Sequence, residues 1–327
     1  MKHLKFYVLM GIFFVASCRW ESEEDFADPC NSTITWIPAP ADTCFSLPIN
    51  GLGQVVATTH WPFLSKPHFY PNDSNRFLYV SSWYEGDSSH IFITNHCTGE
   101  KEYLISVKSV YSPCWGATDW ILFSSGFGPI HKIKSSGDSL MVLNPQRGMS
   151  EYFWMNNGLN IHAQLRKSST ERFSIILDLD GEIIDTFNQL ISRGAFKNGK
   201  IATLYNYENA PFLGIMSIID WTFSPLLLYN PAFTISSIDW LDDQTIIWSD
   251  SKGIRKANIN SGEITFIKET PCDNLRYSFI SASPDDSGRI LTTRLEYVYV
   301  TSDSLVKYQR ISLLDTNTGQ EWILGLE

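Results

Sequence analysis

The chain has 327 residues, of which 43% are hydrophobic, 18% charged and 14% aromatic. That apolar content excludes global disorder and can fill the core of one large all-β domain or two ordinary domains. Lys and Arg number 25 against 35 Asp and Glu, a formal net charge of −10 with no basic tract, which argues against a nucleic-acid partner.

Lys2 and Lys5 give the N-terminus a positive start. Phe6 to Val15 is a short apolar run broken by Gly11, too short for a stable membrane-spanning helix. Ala16, Ser17 and Cys18 complete a secretory layout, so residues 1–17 are read as a signal peptide. The run Val15-Ala16-Ser17-Cys18 resembles the lipobox of bacterial lipoproteins. That resemblance implies cleavage before Cys18 and acylation of its thiol and amine. The plainer reading is an ordinary signal with a chance cysteine. Several acyl chains would hold firmly, since each buried CH₂ contributes roughly 0.8 kcal/mol. The cluster Glu21, Glu23, Glu24 and Asp25 is similar to the export signal that sends Bacteroidetes lipoproteins to the cell surface. Its composition also makes a solvated tether. Residues 18–43 are therefore read as an acidic, flexible tether from an outer-membrane lipid anchor, with the cell surface and the periplasmic face both open as its address.

Cys18 set aside, Cys30, Cys44, Cys97, Cys114 and Cys272 remain. An oxidising compartment makes a disulfide plausible. Cys30 and Cys44 bracket a Pro- and Thr-rich loop and are the first choice, with two free thiols as the alternative. No C-x-x-C spacing supports zinc or thioredoxin chemistry.

From Cys44 onward, short β-branched and aromatic runs alternate with Gly, Asn, Asp, Ser and Pro clusters, as in Phe77-Leu78-Tyr79-Val80 and Trp120-Ile121-Leu122-Phe123. A recurring unit has an apolar anchor, a polar turn and a buried strand. The anchors are Phe69, Trp115, Trp154, Phe196, Trp240 and Ala282, spaced 46, 39, 42, 44 and 42 residues apart. That period and content fit a four-stranded propeller blade. A second turn follows in most copies, as in Asn95-His96-Cys97-Thr98-Gly99 and Asp315-Thr316-Asn317-Thr318-Gly319. The fourth copy lacks its Gly and carries Trp221-Thr222-Phe223-Ser224-Pro225 there.

Ala282-Ser283-Pro284-Asp285-Asp286, followed by the Asp315–Gly319 turn, resembles the TolB-type, WD-like propeller repeat. Phe69-Tyr70-Pro71-Asn72-Asp73 is the next best copy. The resemblance covers roughly residues 67–325 and implies an all-β, six-bladed β-propeller of four-stranded antiparallel blades, placed at 44–327. The segment Cys44–Phe63 either adds a strand to the last blade and closes the ring or begins a degenerate seventh blade.

Catalytic signals are few. There is no G-x-S-x-G elbow, P-loop, dinucleotide fingerprint or H-E-x-x-H, so no catalytic residue, metal ligand or cofactor is assigned. Asp242-Asp243 and Asp285-Asp286 could suggest calcium but are read as turn formers. Loops between second and third strands carry Trp83, Tyr84, Phe127, Arg166, Arg172 and Tyr207, residue types that anchor interfaces. Trp115, Trp120, Trp154 and Trp240 are read as core. Asp138-Ser139-Leu140 and Asp303-Ser304-Leu305 resemble Bacteroidetes O-glycosylation acceptors, which would make Ser139 and Ser304 the modified residues. The expected function is a non-catalytic binding module for an envelope protein, peptide or glycan, acting as a monomer or within a complex. The rival is a carbohydrate-active enzyme with paired carboxylates at the channel mouth.

Overall fold

A computed structural model describes residues 36–325 except 51, 53, 84–87, 127, 144–148, 167, 169–170, 188–189, 209, 231–234 and 271. Cys18 and Cys30 therefore lie outside the described residues, as do Tyr84 and Phe127. Six antiparallel sheets follow one another along the chain, each an up-and-down meander. They occupy residues 63–108, 110–143, 149–187, 192–228, 237–269 and 275–324, and are numbered here as blades 1 to 6. The first strand of each blade touches the first strand of the next, and Phe63–Tyr70 of blade 1 meets Leu275–Ala282 of blade 6 to complete the ring.

The unbroken apolar runs exist because a blade is buried on both faces. Side chains alternate along a strand, so successive residues pack against opposite neighbours. Phe77 and Tyr79 face blade 6, while Leu78 and Val80 face blade 2. Ile121 and Phe123 pack toward blade 1, and Leu122 toward blade 3. Ile246 and Trp248 pack toward blade 4, and Ile247 toward blade 6. One face alone would have produced alternation with polar residues.

The anchors complete these interfaces. Trp115 and Trp240 are buried, and Trp154 is partly so. The Trp154 and Trp240 indoles each donate to the preceding blade, to Cys114 O at 3.2 Å and Ala195 O at 2.9 Å. Gly116 lets the Trp154 ring lie against the blade 2 backbone, since a Cβ there would come within 2.6 Å of it. Trp120 is half-buried beneath the Lys132 and Lys134 ammonium groups, 4.4 and 4.5 Å from its ring centre.

The acidic turns are built by local bonds. Asp315 Oδ1 accepts from the N–H groups of Asn317 and Thr318, and Gly319 follows at φ 74°. Asp242 Oδ1 accepts from Gln244 N–H, and Asp285 Oδ1 accepts from Ser287 N–H and the Ser283 hydroxyl. Burial alone would raise the Asp285 carboxyl, but these bonds outweigh it and hold the group at about 2. In blade 4 the left-handed position falls to Trp221, at φ 55°, whose ring packs 4.2 Å from Phe187.

The N-terminal segment does not start a seventh blade. Thr58–Thr59 runs parallel to Ser304–Asp315, and Trp36–Pro38 pairs antiparallel with Glu321–Leu324. Blade 6 thus becomes a six-stranded sheet. Residues 36–43, expected to belong to the tether, are docked on the propeller: Asp42 makes 3.0 Å ion pairs with Arg294 and Lys268.

Cys44 is bonded to Cys272, and not to Cys30 as its sequence neighbourhood suggested. The ring brings the link between blades 5 and 6 beside the N-terminal segment, where Asn274 Nδ2 also donates to Thr43 O. Nearness in space, 228 residues apart in sequence, decided the pairing. Cys97 is also disulfide-bonded. Replacing Cys44 and Cys272 together by Ser is expected to lower stability by about 2–4 kcal/mol. The denaturation midpoint of the double variant, compared with the oxidised wild-type chain, checks this.

Candidate functional site

The six first strands surround a central cavity of about 500 Å³, which reaches the turns joining first to second strands. Each first strand turns a bare edge toward this space, and its inward N–H groups need partners. Neighbouring blades supply them. Asp239 accepts from Ala282 N–H at 2.8 Å while also holding Trp240 N–H. Ser237 accepts from Ile280 N–H, Ser281 from Phe69 N–H, Thr293 from Lys66 N–H and Glu151 from Arg193 N–H. His68 Nδ1 lies 2.8 Å from Phe69 O and 3.4 Å from Trp115 N–H. A ring nitrogen can donate to the first or accept from the second, so the tautomer decides which contact is a bond.

Five of the six first strands carry a register shift, and each has a left-handed residue at the same place, three residues before its anchor. These are Lys66, Ser112, Glu151, Arg193 and Phe279, with φ between 38° and 55°. Bulges re-aim side chains, and here the repeated bulge sets one level of the cavity wall. In ring order that level reads Lys66, Ser112, Glu151, Arg193, Ser237, Phe279. Phe279 in this conformation is unusual for an aromatic residue.

The electrostatics of the wall follow from burial. The Lys66 ammonium donates to Val110 O and stands 5.6 Å from the ring centres of both Tyr111 and Phe279. With no carboxylate beside it, burial pushes it down to about 8. Burial also raises the Asp239 carboxyl and lowers the His68 imidazole, with each group opposing the other's shift. Cys114, a free thiol in this wall, is pushed well up by burial and is a poor nucleophile there. Lys197 near the turns is matched by Asp243 at 3.5 Å and Asp286 at 3.7 Å. No group of three or more His, Cys, Asp and Glu side chains suited to a metal ion occurs among the described residues.

The residues expected to bind from sequence lie elsewhere. Trp83 follows the second strand of blade 1, Arg166 and Arg172 end the second and begin the third strand of blade 3, Tyr207 ends the second strand of blade 4, and none of them lines the cavity. Trp83 is 54% exposed. Arg166 and Arg172 face each other across one exposed hairpin end, and Arg166 Nε donates to Ser168 O. Tyr207 packs within its own blade, 6.2 Å from Phe212 and 5.7 Å from Phe223. Ser139 is exposed in the turn of blade 2, and Ser304 is half-buried at a strand start in blade 6. The cavity residues carry a sequence signal of their own, a fixed offset from the anchors.

No family model matches the chain, and no curated protein matches it either. Solved structures resemble it in fold. A protein assigned as TolB from Agrobacterium tumefaciens superposes with a TM-score of 0.57 at 14% identity, covering 72% of this chain and 87% of that one. The β-propeller domain of the Trilobed protease from Pyrococcus furiosus gives 0.52 at 13% identity, over 80% and 84% of the two chains. An oligogalacturonate lyase from Vibrio parahaemolyticus gives 0.50 at 12% identity, over 81% and 78%. At such identities the likeness establishes the TolB-like propeller fold and nothing about chemistry.

Proposed function

We propose that this chain is a non-catalytic, lipid-anchored propeller of the bacterial outer membrane that binds an envelope protein, peptide or glycan. The observation that carries the reading is the central cavity, whose wall is braced by bonds between adjacent blades. A braced wall loses little conformational freedom when a ligand enters. The occupations of its two carboxylates favour binding over glycoside chemistry. Asp239 holds two backbone N–H groups, and Glu151 holds that of Arg193. A glycosidase needs two carboxyl groups free to face one bond, about 5–9 Å apart. The fold neighbours include both TolB and a lyase, so the fold leaves both readings available, and the engaged carboxylates support the binding reading.

The anchor rests on Val15-Ala16-Ser17-Cys18 and the acids that follow. Wild-type protein is expected to stay with membranes until detergent is added, and the Cys18→Ser variant to appear in the soluble fraction. Wild-type protein that washes off without detergent would sink the anchor. Crosslinking on intact cells, with and without the variant, then identifies the bound partner; recovery of no specific partner would sink the binding reading.

A further inference from the structure

Lys66 and Lys197 both line the cavity, and they are held differently. Lys197 is paired with Asp243 and Asp286. Lys66 stands at the bulge of blade 1, with φ 55°, and its ammonium lies between one aromatic ring from each flanking blade. These are Tyr111 of blade 2 and Phe279 of blade 6, both 5.6 Å away. The side chain makes one hydrogen bond, to Val110 O, and no carboxylate pairs with it among the described residues. The carboxylates of the wall act on other groups: Glu151 on Tyr111 and on the Arg193 N–H, Asp239 on His68 and on the Ala282 N–H. Lys132, a buried lysine outside the cavity, donates to Leu179 O and has Asp178 and Asp180 nearby to support its charge.

An amine drawn out of water with no acid beside it is destabilised in its charged form. Burial therefore brings Lys66 down to about 8, and a sizeable share of it is uncharged near neutral pH. A desolvated lysine amine is a nucleophile toward carbonyl carbon. The cavity, about 500 Å³, leaves room beside it for a small molecule. We propose that Lys66 is a covalent capture site for a small aldehyde or ketone with an apolar body, held as an imine with that body against Tyr111 and Phe279. The Nζ lone pair adds to the carbonyl carbon, and one N–H proton passes to the carbonyl oxygen. The carbinolamine so formed loses its hydroxyl and the remaining nitrogen proton as water, which leaves the C=N bond. The step needs no oxidant or reductant, and water reverses it. Once protonated, the imine again has one N–H for Val110 O to accept. The inference rests on the binding reading of the cavity and adds a bond-forming group to it.

Benzaldehyde with sodium cyanoborohydride, applied to the folded chain near neutral pH, tests it. The hydride reduces an imine to a stable secondary amine, and peptide mass spectrometry reads each lysine separately. Lys66 is expected to be labelled at least tenfold faster than Lys200, an exposed lysine, because more of it is uncharged. Lys132, buried without a cavity beside it, should be labelled more slowly than Lys200. Glyceraldehyde offers the rings no apolar body, so it should lower the ratio of Lys66 to Lys200 labelling at least fivefold. Lys66→Arg keeps the charge and lacks the nucleophile; it should lose the fastest label while Lys200 is labelled as before. An unchanged thermal midpoint shows that this variant is folded, with Lys66→Met as its substitute, and the rates within the wild-type chain decide the matter without either. Lys66 labelled no faster than Lys200, a ratio indifferent to the aldehyde, or Lys132 labelled as fast as Lys66 would overturn the inference. Each of these results leaves the envelope-partner reading to its own crosslinking test.

Discussion

Replacing Arg294 by Ala is expected to cost about 3–5 kcal/mol, because it strips the partner from buried carboxylates. The guanidinium is 2% exposed. It contacts Glu296 at 3.0 Å, Glu321 at 2.9 Å, the Tyr277 hydroxyl at 3.1 Å and Asp42 at 3.0 Å. Burial by itself would lower its pKa; Glu321, Tyr277, Glu296 and Asp42 together raise it, so it stays charged. Glu321 is held further by the Ser312 hydroxyl at 2.6 Å and by Lys268 at 3.4 Å. The hub therefore joins four strands of blade 6, the last strand of blade 5 and the N-terminal segment. Asp42→Ala should cost less, since that carboxylate is partly solvated. A triple variant, Arg294→Met with Glu296→Gln and Glu321→Gln, should recover part of the loss, because no buried charge is then left unpaired. Denaturation midpoints of the single and triple variants check both statements. A midpoint for Arg294→Ala within error of wild type would refute the role given to the hub.

His162 is expected to dominate the acid sensitivity of the fold. It lies in the second strand of blade 3, fully buried, stacked 4.5 Å from the Phe153 ring. Neither ring nitrogen makes a full hydrogen bond among the described residues, and the nearby Glu151 backbone only partly opposes the effect of burial. Burial pushes the imidazole down to about 3. The native state thus holds the neutral ring while the unfolded chain takes up a proton near its ordinary value of about 6.5. The unfolded state binds more protons between these values, so stability falls as pH falls. The contribution is whole above about pH 6.5 and is lost at about 1.4 kcal/mol per pH unit on the way down to about 3. His68 and His96 are shifted in the same direction by burial and add to the slope. His162→Phe should remove its share, so that variant and wild type diverge by about 3 kcal/mol between pH 6.5 and 4 in favour of the variant. Parallel slopes for the two proteins over that range would exclude the assignment.

The anchor spacing and the unbroken apolar strands made the blades legible, because burial on both faces writes itself into consecutive residues. The site was half legible. The positions three before each anchor were present as a pattern, yet nothing local distinguishes a bulge that points into a cavity from one that does not. Aromatic and Arg residues near loops carry the residue types of interfaces without lying at the cavity, and Tyr207 packs within blade 4.

Composition and period alone therefore determined an all-β propeller, the resemblance to the TolB-type repeat implied six blades, and the acidic turns formed as expected from their own side chains. That the N-terminal segment adds strands to blade 6 instead of starting a seventh blade was decided by the tertiary structure. Other features needed the closed ring. The pairing of Cys44 with Cys272, the docking of Asp42 on Arg294 and the placement of Lys66 opposite Arg193 join residues far apart in sequence. Turns and strand faces are settled within a few residues by backbone bonding and side-chain alternation. Which distant groups meet is settled only when the last blade closes on the first, and that closure also makes the cavity.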